Sequence, residues 1–181
     1  MKQQQFLIFL LLIISCEQEQ QPLPKGYLRL EYPKASYSPH SSTYPFSFEY
    51  NHLANIIYNK RGFKLVYPKM KATLYLNYKP IKENLNSLLN DAYQLPYKHV
   101  VKATSIPEKL FINTKEKVYG TLYSVEGDAA SQFQFFVTDS TRHFLIGSLY
   151  FYAQPNYDSL YPAIQYLQKD LIYFMETIKW D

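Results

Sequence analysis

The chain has 181 residues, 19 Lys or Arg against 15 Asp or Glu, and a single cysteine. That length fits one ordinary domain with short appendages, a lone thiol excludes an internal disulfide, and a formal charge of +4, scattered rather than clustered, excludes a typical nucleic-acid binder. Nineteen Tyr, twelve Phe and only five Gly predict a strand-rich molecule, because aromatic side chains favour half-buried pleated surfaces.

The first sixteen residues carry the clearest signal. Lys2 precedes a nine-residue apolar run from Phe6 to Ile14, which ends at Ile13-Ile14-Ser15-Cys16. A basic start, an apolar middle and small-residue processing before a cysteine make a bacterial lipoprotein leader. Spanning a bilayer takes about 20 apolar residues, so the run reads as removable. Residues 1–15 are the predicted leader, and Cys16 would become the diacylglycerol-bearing first residue of the mature chain, its attachment to the membrane. Residues 16–25 hold Pro22 and Pro24 among polar side chains and read as a flexible, lipidated tether. Fully extended, it could lift the folded domain roughly 30 Å from the lipid. Loss of Lys2 with the leader leaves 18 basic against 15 acidic residues.

Residues 26–181 are expected to form a single domain. Phe46 and Phe48 share one face of a strand at 44–50, a second extended run covers 54–58, and Lys60-Arg61-Gly62 suits a turn before a strand at 63–67. Residues 71–78 alternate cleanly: Ala72, Leu74, Leu76 and Tyr78 face core, whereas Lys71, Thr73, Tyr75 and Asn77 face water. Pro80 should end this strand and open a helix, whose apolar stripe is Ile81, Leu85, Leu88, Leu89 and Ala92. Pro96 should stop or kink that helix, with 99–103 as its continuation.

Further strands are expected at 109–113 and 117–126. Residues 131–138 and 142–152 should form a hairpin around Asp139-Ser140-Thr141, since Asp and Ser bond the backbone two residues on. Its first arm sets Phe133, Phe135 and Val137 opposite Gln132, Gln134 and Thr138. Its second arm is apolar almost throughout, as in a central strand covered on both faces. The last segment predicts a long helix capped by Asp158 or Ser159, with Leu160, Ile164, Leu167, Leu171, Phe174, Met175 and Ile178 on one stripe and Lys179 favouring its C-terminal dipole. The fold class is therefore α+β, a mainly antiparallel sheet flanked by a mid-chain helix and a long C-terminal helix. Its layering resembles the PsbP/Mog1 type of sandwich.

No arrangement of residues argues for catalysis. Asp128, Ser131, Asp139, Ser140 and His143 can be put on paper into a Ser-His-Asp set, but no G-x-S-x-G elbow exists to expose a nucleophile. His40, His52, His99 and His143 have no metal-ligand spacing, and no cofactor is predicted. Aromatic side chains serve as interface anchors and also stack on sugar rings, so a protein-docking module and a binding module for peptidoglycan or another glycan both remain open. The tip Asp139, Ser140, Thr141, Arg142 and His143 is the candidate partner-contact loop, with a solvated hairpin tip as its plain alternative.

Seven stretches, in order along the chain, carry a family resemblance. The first three are Pro24-Lys25-Gly26-Tyr27-Leu28-Arg29-Leu30, Pro45-Phe46-Ser47-Phe48-Glu49-Tyr50, and Tyr67 through Leu74. Lys98-His99 with Lys102-Ala103, Ser131 through Leu145, Asn156 through Leu160, and Thr177-Ile178-Lys179-Trp180 complete the series. Together they resemble the gliding-motility lipoprotein D (GldD) family of the Bacteroidetes. The resemblance implies a non-enzymatic cell-envelope lipoprotein of the outer membrane, facing the periplasm and working with other envelope proteins of the gliding machinery, which shares parts with type IX secretion. Family members often carry cysteines near the Pro-Phe-Ser-Phe strand. Here that strand is preceded by Tyr44, and no cysteine follows Cys16.

Overall fold

Alternating apolar residues, such as Phe46 and Phe48 or Leu74 and Leu76, build several of the strands in the computed structural model, which describes residues 31–60, 62–98, 100–154 and 156–181. Cys16, the predicted leader and the predicted tether lie outside the described residues. The N-terminal half holds β1 (Tyr37–Ser41), β2 (Phe46–Asn51), β3 (Asn55–Asn59), β4 (Gly62–Tyr67), β5 (Ala72–Pro80) and helix α1 (Leu85–Tyr97). The C-terminal half holds β6 (Ala103–Ser105), β7 (Glu108–Asn113), β8 (Val118–Ser124), β9 (Glu126–Gly127), β10 (Ser131–Thr138), β11 (His143–Phe151), α2 (Tyr157–Thr177) and β12 (Lys179–Trp180).

Seven strands form one sheet in the order β3-β4-β5-β11-β10-β8-β7, and β1-β2-β12 form a smaller one. Every pairing within them is antiparallel, as the α+β reading requires. The inner face of the large sheet buries Phe63, Leu65, Leu74, Phe135 and Leu145 against Leu167, Leu171 and Phe174 of α2 and against Phe46 and Phe48 of β2. Phe48 stands edge-on to Phe174 at 4.9 Å and stacks on Phe63 at 5.5 Å, so the small sheet and α2 share one core. On the outer face Leu88 and Ala92 of α1 pack on Tyr123, Phe136 and Phe144. The layers are α1, the large sheet, and then α2 with the small sheet.

The β10–β11 hairpin has the expected register, from Ser131↔Tyr150 to Thr138↔Phe144, and β11 lies at the centre of the sheet. All eight residues of β10 are buried, however, including Gln132, Gln134 and Thr138. Thr73 is buried as well, against the expectation that it faces water. Along β10 both faces are covered, α1 packing beside Phe136 on the outer one, which overrides the polar half of a period-two pattern, and Thr73 is buried in register with Tyr150.

Several boundaries differ from the sequence reading. Ile81 donates its N–H to the Arg142 carbonyl at 2.9 Å, carrying the β5–β11 ladder past Pro80, and Glu83 then adopts φ 58° before the helix begins at Leu85. Residues Leu85, Leu88, Leu89 and Ala92 do form the predicted stripe. After Pro96, which cannot donate to the preceding turn, α1 ends at Tyr97. Val100–Lys102 make a 3₁₀ turn and Ala103 opens β6, so the helical continuation over 99–103 is absent, His99 itself lying outside the described residues. The cap of α2 is Asn156, whose side chain accepts from Ser159 N–H, not Asp158 or Ser159. Lys179 belongs to β12, not to the helix end. Of the predicted turn at 60–62, Gly62 opens β4 opposite Asn59, and Arg61 lies outside the described residues.

Candidate functional site

The predicted contact loop is a tightly ordered turn held by one carboxylate. Asp139 Oδ1 accepts the N–H groups of Thr141, Arg142 and His143 at 3.0, 2.8 and 2.8 Å, and Oδ2 accepts the Thr141 hydroxyl at 2.7 Å. Partial burial pushes the carboxyl up, but these donors outweigh it and hold the group at about 2. Thr138 closes the turn by accepting from Ser140 N–H at 2.9 Å and donating to the His143 carbonyl at 2.6 Å. Ser140, at φ 66°, Thr141 and Arg142 remain exposed.

His143 is buried beneath that tip, not offered at it. Its Nδ1 meets the Tyr78 hydroxyl at 2.8 Å, and Trp180 stacks on its ring at 5.2 Å and 7°. Trp180 is fixed by its indole N–H, which donates to the Lys117 carbonyl at 3.1 Å, and by edge-on contact with Phe46 at 5.7 Å. Arg142 reaches the backbone oxygen of Asp181 at 3.4 Å. Segments 44–46, 78, 117, 139–143 and 180–181 therefore meet at one end of the sheet. Sequence spacing could not show this, because Trp180 and His143 lie on elements joined only through tertiary packing.

Burial lowers the His143 pKa, with the Asp139 charge opposing. A group that titrates lower when folded takes up protons more readily unfolded, so this site weakens the fold as pH drops through the ordinary imidazole value of about 6.5. Replacing Trp180 by Ala uncovers the ring. The expected outcome is an upward move of the His143 titration toward the ordinary value, read from its ring carbon-bound proton shifts by NMR, with an unchanged midpoint counting against the burial account.

The paper Ser-His-Asp set is not assembled. Ser131 donates to the Leu149 and Phe133 carbonyls at 3.0 and 3.3 Å. It lies at the far end of the hairpin from His143, roughly 20 Å away at about 3.3 Å per strand residue. Asp128 accepts from Tyr157 N–H at 2.9 Å instead. Among the described residues no group of three or more His, Asp or Glu is placed to hold a metal ion.

One feature had no sequence signal. Strand β7 is an edge of the large sheet, and Leu110 and Ile112 on it are 73% and 69% exposed. Both project on the face that carries α1, yet the helix packs over β8, β10 and β11 and leaves them bare. Ile112 is in register with Tyr119, and Tyr119 with Thr138, so the apolar strip approaches the Asp139 turn across about 10 Å. Alternation alone would have marked Leu110 and Ile112 as core.

Residues 17–180 match the family model described as gliding motility lipoprotein GldD. The chain belongs to the gliding motility lipoprotein GldD family. A comparison with curated proteins gave no match. The match spans every described strand and both helices. No helix among the described residues is long and apolar enough to cross a membrane.

Proposed function

We propose that this GldD-family chain is a membrane-tethered, non-enzymatic docking subunit of the gliding machinery linked to type IX secretion. Acyl chains on Cys16 hold it in the outer membrane, residues 16–25 act as the tether, and the domain from 26 to 181 faces the periplasm. Anchoring confines the domain to a thin layer and raises its effective concentration for neighbours there.

The observation that carries the docking role is the bare β7 edge. Soluble proteins normally cover, charge or shorten such edges, since unpaired N–H and C=O groups recruit another strand. Here the edge carries the exposed aliphatic side chains of Leu110 and Ile112 after the charged pair Glu108 and Lys109, beside the ordered Asp139 turn, a combination suited to strand addition by an envelope partner. Ser140, Thr141 and Arg142 extend the same contact surface.

Leu110 and Ile112 support little of the core, so replacing both with Asp should leave stability within about 1 kcal/mol while gliding is lost. Cell tracking together with a melting curve of the purified variant checks this. Wild-type gliding by cells carrying the folded double variant would remove the β7 edge from the mechanism. A second reading, binding of an envelope glycan, is favoured by solvent-facing tyrosine rings on the opposite half of the large sheet.

A further inference from the structure

The half of the outer sheet face away from α1 has a chemistry unlike that of the β7 edge. Cross-strand partners share a face, so the registers align Ile57, Lys64, Tyr75, Ser148 and Gln134 in one row across β3, β4, β5, β11 and β10. Asn77 and Lys79 follow Tyr75 on that face by alternation. Shallow clefts of about 540 and 490 Å³ flank Tyr75, one lined by Ser148, Tyr150 and Tyr152, the other by Asn59, Lys60 and Asn77.

The rings are held in place before any ligand arrives. Tyr75 and Tyr152, 39% and 61% exposed, hydrogen-bond to one another through their hydroxyls. Tyr150 stands edge-on to Tyr75 at 5.8 Å and 78°. Fixed rings bind without the ordering cost of mobile ones. The Gln134 carbonyl oxygen, buried beside Ser148, has no hydrogen-bond partner among the described residues.

Charge selects the ligand class. Strands β3, β4, β5 and β11 contain no Asp or Glu, whereas Lys60, Lys64 and Lys79 lie on or beside this face. The aliphatic side chains among its residues are few, which fits a polar, ring-shaped partner better than the apolar core of a protein interface. We propose that this half-face binds an anionic polysaccharide, its sugar rings stacking on Tyr75 and Tyr152 while Lys60 and Lys64 pair with its acidic groups. Asn77 and Ser148 are placed to hydrogen-bond ring hydroxyls. The proposal rests on the glycan reading and adds to it a site and a ligand charge; it is independent of docking at β7.

Isothermal titration of the full-length lipoprotein in neutral detergent, at about 0.15 M salt to suppress long-range attraction, distinguishes the parts. The probes are hexagalacturonate, neutral maltohexaose and phosphatidylglycerol vesicles. Saturable binding of hexagalacturonate is expected, weakened at least tenfold by Tyr152→Ala, whose exposed ring the fold does not need, and by Lys64→Ala. Lys109→Ala on β7 should leave it unchanged. Absence of binding to both sugars overturns the glycan reading with the site. Equal binding of maltohexaose keeps a glycan but overturns the charge assignment. Hexagalacturonate binding indifferent to Tyr152→Ala overturns the site, and vesicle binding with the same dependence on both variants overturns the saccharide in favour of a lipid surface.

Discussion

Exchange of Cys16 for Ala, with an ordinary secretory leader in place of residues 1–15, is expected to move the protein from the membrane pellet to the soluble fraction and to abolish gliding. The substituted leader matters, because an uncleaved apolar run could itself hold the chain at a membrane. Each buried methylene contributes about 0.8 kcal/mol, so one chain binds reversibly and two or three bind essentially for good. Losing them all therefore changes the membrane-bound fraction from nearly complete to background, whatever the domain's own weak affinities. Fractionation with immunoblotting reads the first effect and cell tracking the second. Normal gliding by cells whose protein is wholly soluble would contradict the tethered mechanism, whereas retention in the pellet would point to a second anchor in the folded part.

The second large effect is expected at Asp170, a carboxylate on α2 that is only 3% exposed. Its Oδ2 accepts the Tyr67 hydroxyl at 2.5 Å and its Oδ1 the Asn51 amide at 3.0 Å. The same amide reaches the Tyr166 hydroxyl at 2.9 Å, so β2, β4 and α2 are tied through one polar knot inside the core. Truncation to Ala strands the Tyr67 hydroxyl and one of the two Asn51 amide hydrogens away from water, the other still reaching Tyr166. At about 1–3 kcal/mol for each unsatisfied group, the expected loss is about 3 kcal/mol, or roughly 10 °C in melting temperature for a domain of this size. A melting point within a few degrees of wild type would show that water or side-chain rearrangement replaces the carboxylate.

Asp170 also gives a pH signature. Burial raises its pKa, with the hydrogen bonds from Tyr67, Asn51 and Tyr37 opposing. A carboxyl raised in the folded state contributes stability in full below the unfolded value near 3.9, and that contribution is lost as pH rises through the folded value. The stability gap between wild type and Asp170→Ala should therefore narrow as pH rises from about 4. His143 acts in the opposite direction in both proteins and cancels in the difference.

Local patterns were legible where near neighbours in the chain set them. The stripe of α2 and the β10–β11 hairpin follow from side-chain period and turn chemistry, since Asp139 needs only neighbours within four residues to close its turn. Non-local effects were not legible. The start of α1 shifted because Ile81 found a partner in Arg142, far along the chain. Asp170 sits between Leu167 and Leu171 on a buried helix face, and a lone acid there is the one visible hint of a polar core knot. The His143–Trp180 stack, the bare β7 edge and the tyrosine-bearing half-face all depend on which strands become neighbours. Strand order is fixed by the three-dimensional topology and leaves no local trace.

The most direct measurement is photo-cross-linking in gliding cells, with a photoreactive amino acid placed singly at Leu110, at Ile112 and, as an exposed control on the opposite edge strand, at Ile57. Adducts at 110 and 112 to one envelope protein of the gliding machinery, absent at 57 and lost when Cys16 is replaced, are the predicted result. Equal adducts from all three positions, or adducts that persist when the protein is soluble, would contradict docking of a tethered domain through β7.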